Sequence, residues 1–199
     1  GDYNVGLGDN ALTANTTGNY NNAFGYQALT ANTEGSKNTA VGVQAATAVT
    51  TGDNNIAIGY RALYTEDTGN RSVAIGDYAL TVQNNDDSNY NVAVGYSALT
   101  ANTTGTKNVA VGGLSLNANT TGTNNVASGY QALYSNTTGS YNTASGYYAL
   151  KYNTTGSHNT ALGQAALYLS TTASYNTACG KESLRNNTTG GNNTGVGYR

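Results

Sequence analysis

Small and apolar residues recur along this chain at a fixed interval. Aligned on the residue that precedes each x-A-x-G, the units begin at Asn4, Asn21, Asn38, Asn55, Ser72, Asn91, Asn108, Asn125, Asn142, Asn159, Asn176 and Asn193. The interval is 17 residues except for 19 between Ser72 and Asn91. The consensus is N-x-A-x-G-Y-x-A-L-x-x-N-T-T-G-x-x, numbered here as positions one to seventeen. Position five is Gly in all twelve units, position three is Ala in ten and Gly in two, and position nine is Leu in ten of eleven. Position four is mostly apolar, as in Leu7, Phe24, Val41, Ile58, Ile75, Val94 and Val111. A period this regular is the mark of a repeat architecture.

Positions two to five are short and rich in β-branched residues, which predicts a strand. Positions eight to eleven, as in "ALTA", predict a second. Asn-Thr-Thr-Gly is turn chemistry. The two extra residues fall in "TVQNNDDSNY" and leave the flanking apolar columns in register, so residues 82–90 read as an enlarged turn. Each unit is then strand, bend, strand, turn. Stacked in register, the units predict an all-β fold: a parallel β-solenoid, as a flattened two-sided β-roll of about twelve 17-residue repeats. Residues 1–199 form a single array, expected to be a piece of a longer one. Helix is excluded, because two Gly per unit would each cost about 1 kcal/mol in a helix interior. At the usual strand spacing the rod would be on the order of 55 Å long.

Alternation along the first strand puts positions two and four on one face and three and five on the other. Neither face reads as solvated. The Ala/Gly face is expected to pack against a second copy of the chain. The alternative is that it lines a very narrow interior, with Val and Thr facing water.

Composition narrows the partners. Charged residues make up 9% of the chain and the net charge is −2, which offers no basic footprint for nucleic acid. No apolar run approaches the roughly 18 residues of a membrane span. Cys179 is the only cysteine, which excludes an intrachain disulfide.

The stretch "SVAIG" at Ser72–Gly76, with "NIAIG", "NVAVG" and "NTALG" in other units, resembles the motif of the left-handed β-roll head of trimeric autotransporter adhesins. The fuller line N-T-A-x-G-Y-x-A-L-x-x-N-T-T-G is similar to repeat arrays in phage tail-fibre and bacterial tail-fibre-like surface proteins. The resemblance covers essentially the whole chain. It implies homotrimeric fibres, extracellular, on the cell surface or on a virion tail, that attach to surfaces. The adhesin-head unit is shorter, so the extra residues here lengthen a turn or a strand.

No catalytic constellation is present, and no cofactor is implied. The single histidine, His158, reads as an exposed polar residue, and Cys179, in the fourth column, as a small core residue. Glu66 and Asp67 in one turn and Asp86 and Asp87 in the next are candidate ligands for a weak Ca²⁺ site, since flexible oxygen-rich loops suit that ion. The alternative is a solvated acidic loop. Tyr26, Tyr60, Tyr96, Tyr130 and Tyr147 follow the invariant Gly. They are glycan-stacking candidates, because Tyr offers an apolar face and a polar tip. The competing role is protection of the roll edge or contact between chains. "NTT" at Asn15, Asn102, Asn119, Asn136, Asn153 and Asn187 matches a glycosylation sequon, but in-register Asn columns also form hydrogen-bonded ladders.

The expected function is a non-enzymatic structural and adhesive fibre segment, with itself and cell-surface glycans as partners. An ice-binding or surface-coat solenoid is the alternative, with the Thr pairs of the NTT turns as its hydroxyl array.

Overall fold

A computed structural model describes residues 1–85 and 88–199. Twelve three-residue strands recur once per unit: β1 (Val5–Leu7), β2 (Asn22–Phe24), β3 (Thr39–Val41), β4 (Ile56–Ile58), β5 (Val73–Ile75), β6 (Val92–Val94), β7 (Val109–Val111), β8 (Val126–Ser128), β9 (Thr143–Ser145), β10 (Thr160–Leu162), β11 (Thr177–Cys179) and β12 (Thr194–Val196). All pair in parallel, in chain order, within one sheet. Each strand meets the same columns of its neighbour, as in Thr143↔Thr160 and Ala144↔Ala161. The pair β5–β6 keeps that match (Val73↔Val92, Ala74↔Ala93) across the longer unit, so the two extra residues do not disturb the sheet. The protein is a β-solenoid in which each unit is one coil.

The interior is made of three columns. The Ala of position three, the Ala or Ser of position eight and the Leu of position nine (Ala46 in the third coil) are buried from the second coil to the tenth. One coil hides only one Leu and two small residues, and full burial of a Leu contributes about 1.5–3 kcal/mol. No coil is stable alone; stacking on both neighbours supplies the rest.

The segment at positions eight to eleven is not a strand. The chain turns through positive φ at positions seven and nine, for example Gln27 (56°) and Leu29 (49°), or Tyr148 (63°) and Leu150 (50°). Consecutive strand residues point to opposite faces, yet positions eight and nine are both buried. A curled backbone is the way to bring both inside. The left-handed region costs an L-residue roughly 1–2 kcal/mol, offset by burial of the Leu side chain. The curled segment still bonds coil to coil: the N–H of Leu29 donates to the Ala45 carbonyl (3.1 Å), Ala31 to Thr47 (3.1 Å) and Thr33 to Thr50 (2.9 Å). Past the glycine corner the direction reverses, with Gly42 donating to Phe24 (2.8 Å) and Gln44 to Tyr26 (2.8 Å).

Two asparagine columns complete the interior. At position one, the N–H of Asn142 donates to Asn125 Oδ1 (3.0 Å) and its Nδ2 to the Gly156 carbonyl (2.8 Å). At position twelve, Asn136 Nδ2 donates to Asn119 Oδ1 (2.8 Å) and to the Gly139 carbonyl (2.9 Å). These ladders saturate the backbone groups that the turn would otherwise bury unpaired.

Candidate functional surface

The face expected to meet a second copy lies inside. Ala144 and its column are wholly buried within their own coil. Positions two and four are the outward-facing ones. Ile56 and Ile58 are 38% and 37% exposed, and Val111 and Val126 are 42% and 41% exposed. The expectation inverted the two faces because a side chain the size of Leu or Val at position three would not fit beside the Leu of position nine. The outer strand face carries no charged residue on any of the twelve strands. From β4 to β7 both outward columns hold only Val and Ile. Cys179 shares this face and is exposed, not a core residue as its apolar column suggested.

Aromatic rings flank the sheet in two tracks. On the position-seventeen track, Tyr3 stacks on Tyr20 (centroids 5.1 Å, 5° apart). His158 lies sandwiched between Tyr141 and Tyr175, at 4.9 Å from each. Their stacking consumes the ring faces, so this track works mainly as a brace along the rod. His158 is exposed, as expected, but it is also a member of that stack.

The other track contains the five glycan-stacking candidates. Tyr60 and Tyr96 both meet Tyr78 edge-on (5.3 and 6.2 Å). Tyr130 and Tyr147 stack on each other (5.7 Å, 17°). Tyr26 is exposed. The structure also gathers residues that were not singled out: Tyr148 against Tyr147 (3.8 Å), and Tyr168 against both Tyr148 (6.0 Å) and Tyr152 (5.0 Å). The signal for them was their columns. Tyr148 is at position seven, Tyr168 at ten and Tyr152 at eleven, and stacked coils bring those positions together.

No protein-family model, curated protein or solved structure matches this chain. The functional reading therefore rests on the surface and on the pattern of the repeat.

Of the four acidic candidates, Asp86 and Asp87 lie outside the described residues. Glu66 and Asp67 face different ways. Glu66 occupies position twelve, the Asn column, and points into the coil, where it is buried. Its Oε1 accepts from the Gly69 N–H (2.9 Å), and its Oε2 from Gln83 Nε2 (2.6 Å) and Asn89 Nδ2 (3.0 Å). Gln83 also donates to the Ser72 hydroxyl (2.7 Å) and accepts from Asn91 (2.6 Å), so the carboxylate enters the polar spine of the rod. Asp67 accepts from the Thr50 hydroxyl. Among the described residues, no three His, Cys, Asp or Glu cluster as metal ligands.

Burial pushes the Glu66 carboxyl above its ordinary value of 4.5, against the opposing pull of the donors from Gln83, Gly69 and Asn85. The folded chain thus holds this proton more tightly than the unfolded chain. The site's contribution is fully present below the unfolded value and is lost as pH rises through the raised folded one. Glu66→Gln, which cannot ionise, is expected to gain stability relative to the wild type as pH is raised from about 4 to 7. Urea unfolding of both proteins across that range reads the difference. A difference that stays constant would refute the assignment.

The asparagines of the sequon matches are mostly interior. Asn102, Asn119, Asn136 and Asn153 are buried, with their amides committed to the ladder. The first Thr of these interior NTT turns is also engaged: Thr103, Thr120 and Thr137 donate their hydroxyls to the carbonyl of the Thr one coil on (3.0–3.1 Å).

Proposed function

We propose that this chain is a non-enzymatic rod segment of an extracellular, cell-surface or virion fibre, assembled as a homotrimer, giving rigid reach and multivalent surface attachment. One observation carries the reading: a charge-free strand face runs the length of the rod, and from β4 to β7 its outward side chains are all Val and Ile. An exposed apolar patch that spans several coils marks an interaction site. Three copies placed side by side in parallel would bury it against itself, column on column. The resemblance of the repeat to fibre and adhesin arrays agrees with that arrangement. Linked copies multiply weak contacts with a surface.

Cys179 reports the contact directly. In a parallel trimer closed through the strand face, the three Cys179 thiols lie at one level near the common axis. Sedimentation equilibrium is expected to give three times the chain mass, and mild oxidation is expected to produce disulfide-linked dimers with a remaining monomer. A folded monomer whose thiol stays free would overturn the assembly.

A second reading, an ice-binding or surface-coat rod, draws on the same flat face, where Thr143, Thr160, Thr177 and Thr194 form an outward hydroxyl column. The first Thr of the NTT turns does not serve it as well, because its hydroxyl is tied to the neighbouring coil. A monomer that shows thermal hysteresis would replace the fibre reading with this one.

A further inference from the structure

Charge is unevenly distributed along the rod. Of its ten acidic residues, Glu182 alone lies beyond residue 100, whereas Lys107, Lys151, Lys181, Arg185 and Arg199 all do. Among the described residues the one ion pair is Arg199–Glu182 (3.8 Å). Lys151 and Arg185 therefore stand without a carboxylate partner among those residues, and both are seated on tyrosine rings. Lys151 Nζ is 4.1 Å from the Tyr148 ring and 5.3 Å from Tyr152; the Arg185 guanidinium is 5.0 Å from Tyr168.

The order of these groups is set by the coil. Lys151, Tyr168 and Arg185 occupy position ten of three successive units. Successive coils of a parallel sheet are about 4.8 Å apart, so the backbone positions of Lys151 and Arg185 are separated by roughly 9.6 Å along the axis, with Tyr168 on the coil between them. One coil is close to the length of one pyranose in an extended polysaccharide. Two coils then match the repeat of a chain that carries an acid on alternate sugars. The exposed rings of Tyr147 and Tyr152 offer apolar surface to the axial C–H groups of sugars and hydroxyl tips to their polar edges. Tyr147 and Tyr152 are 46% and 39% exposed, so the patch is open. Hydrogen bonding with Tyr147 and with Tyr152 holds the phenols of Tyr148 and Tyr168 above their usual range.

We propose that the tyrosine–cation patch around Lys151, Tyr168 and Arg185 binds an acidic polysaccharide with a carboxylate on alternate sugars, lying parallel to the rod axis. Rings supply the stacking, and Lys151 and Arg185 each take one carboxylate through charge-assisted hydrogen bonds. The proposal rests on the adhesive reading above and gives it a ligand class. In a trimer the patch would be presented three times.

Calorimetric titration of the intact chain distinguishes the contributions. The probes are a hyaluronan hexasaccharide, the neutral chitin hexasaccharide and polyglutamate of similar charge. Hyaluronan is expected to bind, the neutral sugar more weakly and polyglutamate not detectably. The Lys151→Gln/Arg185→Gln double variant is expected to lose about tenfold or more in hyaluronan affinity while leaving the neutral sugar unchanged. Tyr152→Ala is expected to weaken both sugars. Circular dichroism and sedimentation of each variant establish that the rod is intact. No hyaluronan binding by the wild type, equal binding of polyglutamate, or an unchanged double variant would each overturn the site. A trimer that fails to bind would sink this patch alone; a monomer that binds would sink the trimer and keep the patch.

Discussion

Gly129→Ala is expected to destabilise the rod by about 3 kcal/mol or more, whereas Gly113→Ala is expected to change stability by less than about 1 kcal/mol. Both glycines lie in the corner after a strand, in adjacent units. Gly129 is at position five with φ 135°, and a Cβ placed there would lie 2.6 Å from the carbonyl oxygen of Gly146 in the next coil. That carbonyl is held by the Ala149 N–H (3.2 Å), so it has little freedom to withdraw. Backbone strain of about 1–3 kcal/mol for a side chain in this region adds to the collision. Gly113 is at position six, where six other units carry Tyr, and its Cβ would meet only the Tyr130 ring at an ordinary 3.5 Å. Because each coil touches only its neighbours, the damage at Gly129 is also expected to divide the rod into two units that unfold separately. Urea unfolding with hydrogen exchange reads both effects. Equal stability of the two variants would show that the corner has more room than the coil spacing allows.

Asn136→Leu and Ser170→Asn are expected to move stability in opposite directions, by about 2–4 kcal/mol lost for the first and about 1 kcal/mol gained for the second. Asn136 is buried in the middle of the position-twelve ladder. It donates to Asn119 Oδ1 and Gly139 and accepts from Asn153 Nδ2 (2.8 Å). A Leu there leaves Asn119 Oδ1 with no donor. Gly139 and Asn153 keep one bond each, to Asn125 (2.9 Å) and Gly156 (2.9 Å). The native chain already contains such gaps. Where the column is broken by Val49, Asn32 Oδ1 is buried without a partner; where it is broken by Ser170, so are Asn153 Oδ1 and the Ser170 hydroxyl. Ser170→Asn refills the column between Asn153 and Asn187. Thermal or urea unfolding of the pair is the check, and a Ser170→Asn variant no more stable than wild type would mean the ladder's bonds are replaced at no cost by other partners.

Glu66 shows how far the columns alone reach. Grouped by charge, it belongs with Asp67 in an acidic turn. Grouped by position, it belongs with Asn102 and Asn136, and its inward direction follows from that. Positions eight and nine carried a similar signal, since two adjacent apolar residues conserved through the units are incompatible with a strand that has one buried face. Lys151, Tyr168 and Arg185 also share one column in the sequence, but nothing in that column says which ring faces stay open.

The sequence by itself determined the period, the parallel stacking of the coils and the place where two extra residues are tolerated. Those are properties of a pattern repeated every 17 residues, and identical units can stack in register only one way. Tertiary structure decided which side of the strand is inside, whether the second segment is strand or curl, and which tyrosines meet which cations. Those depend on the volume inside one coil and on side-chain directions between coils. The interior pairs Ala of position three with Leu of position nine, and strand alternation then turns the Val and Ile of positions two and four outward.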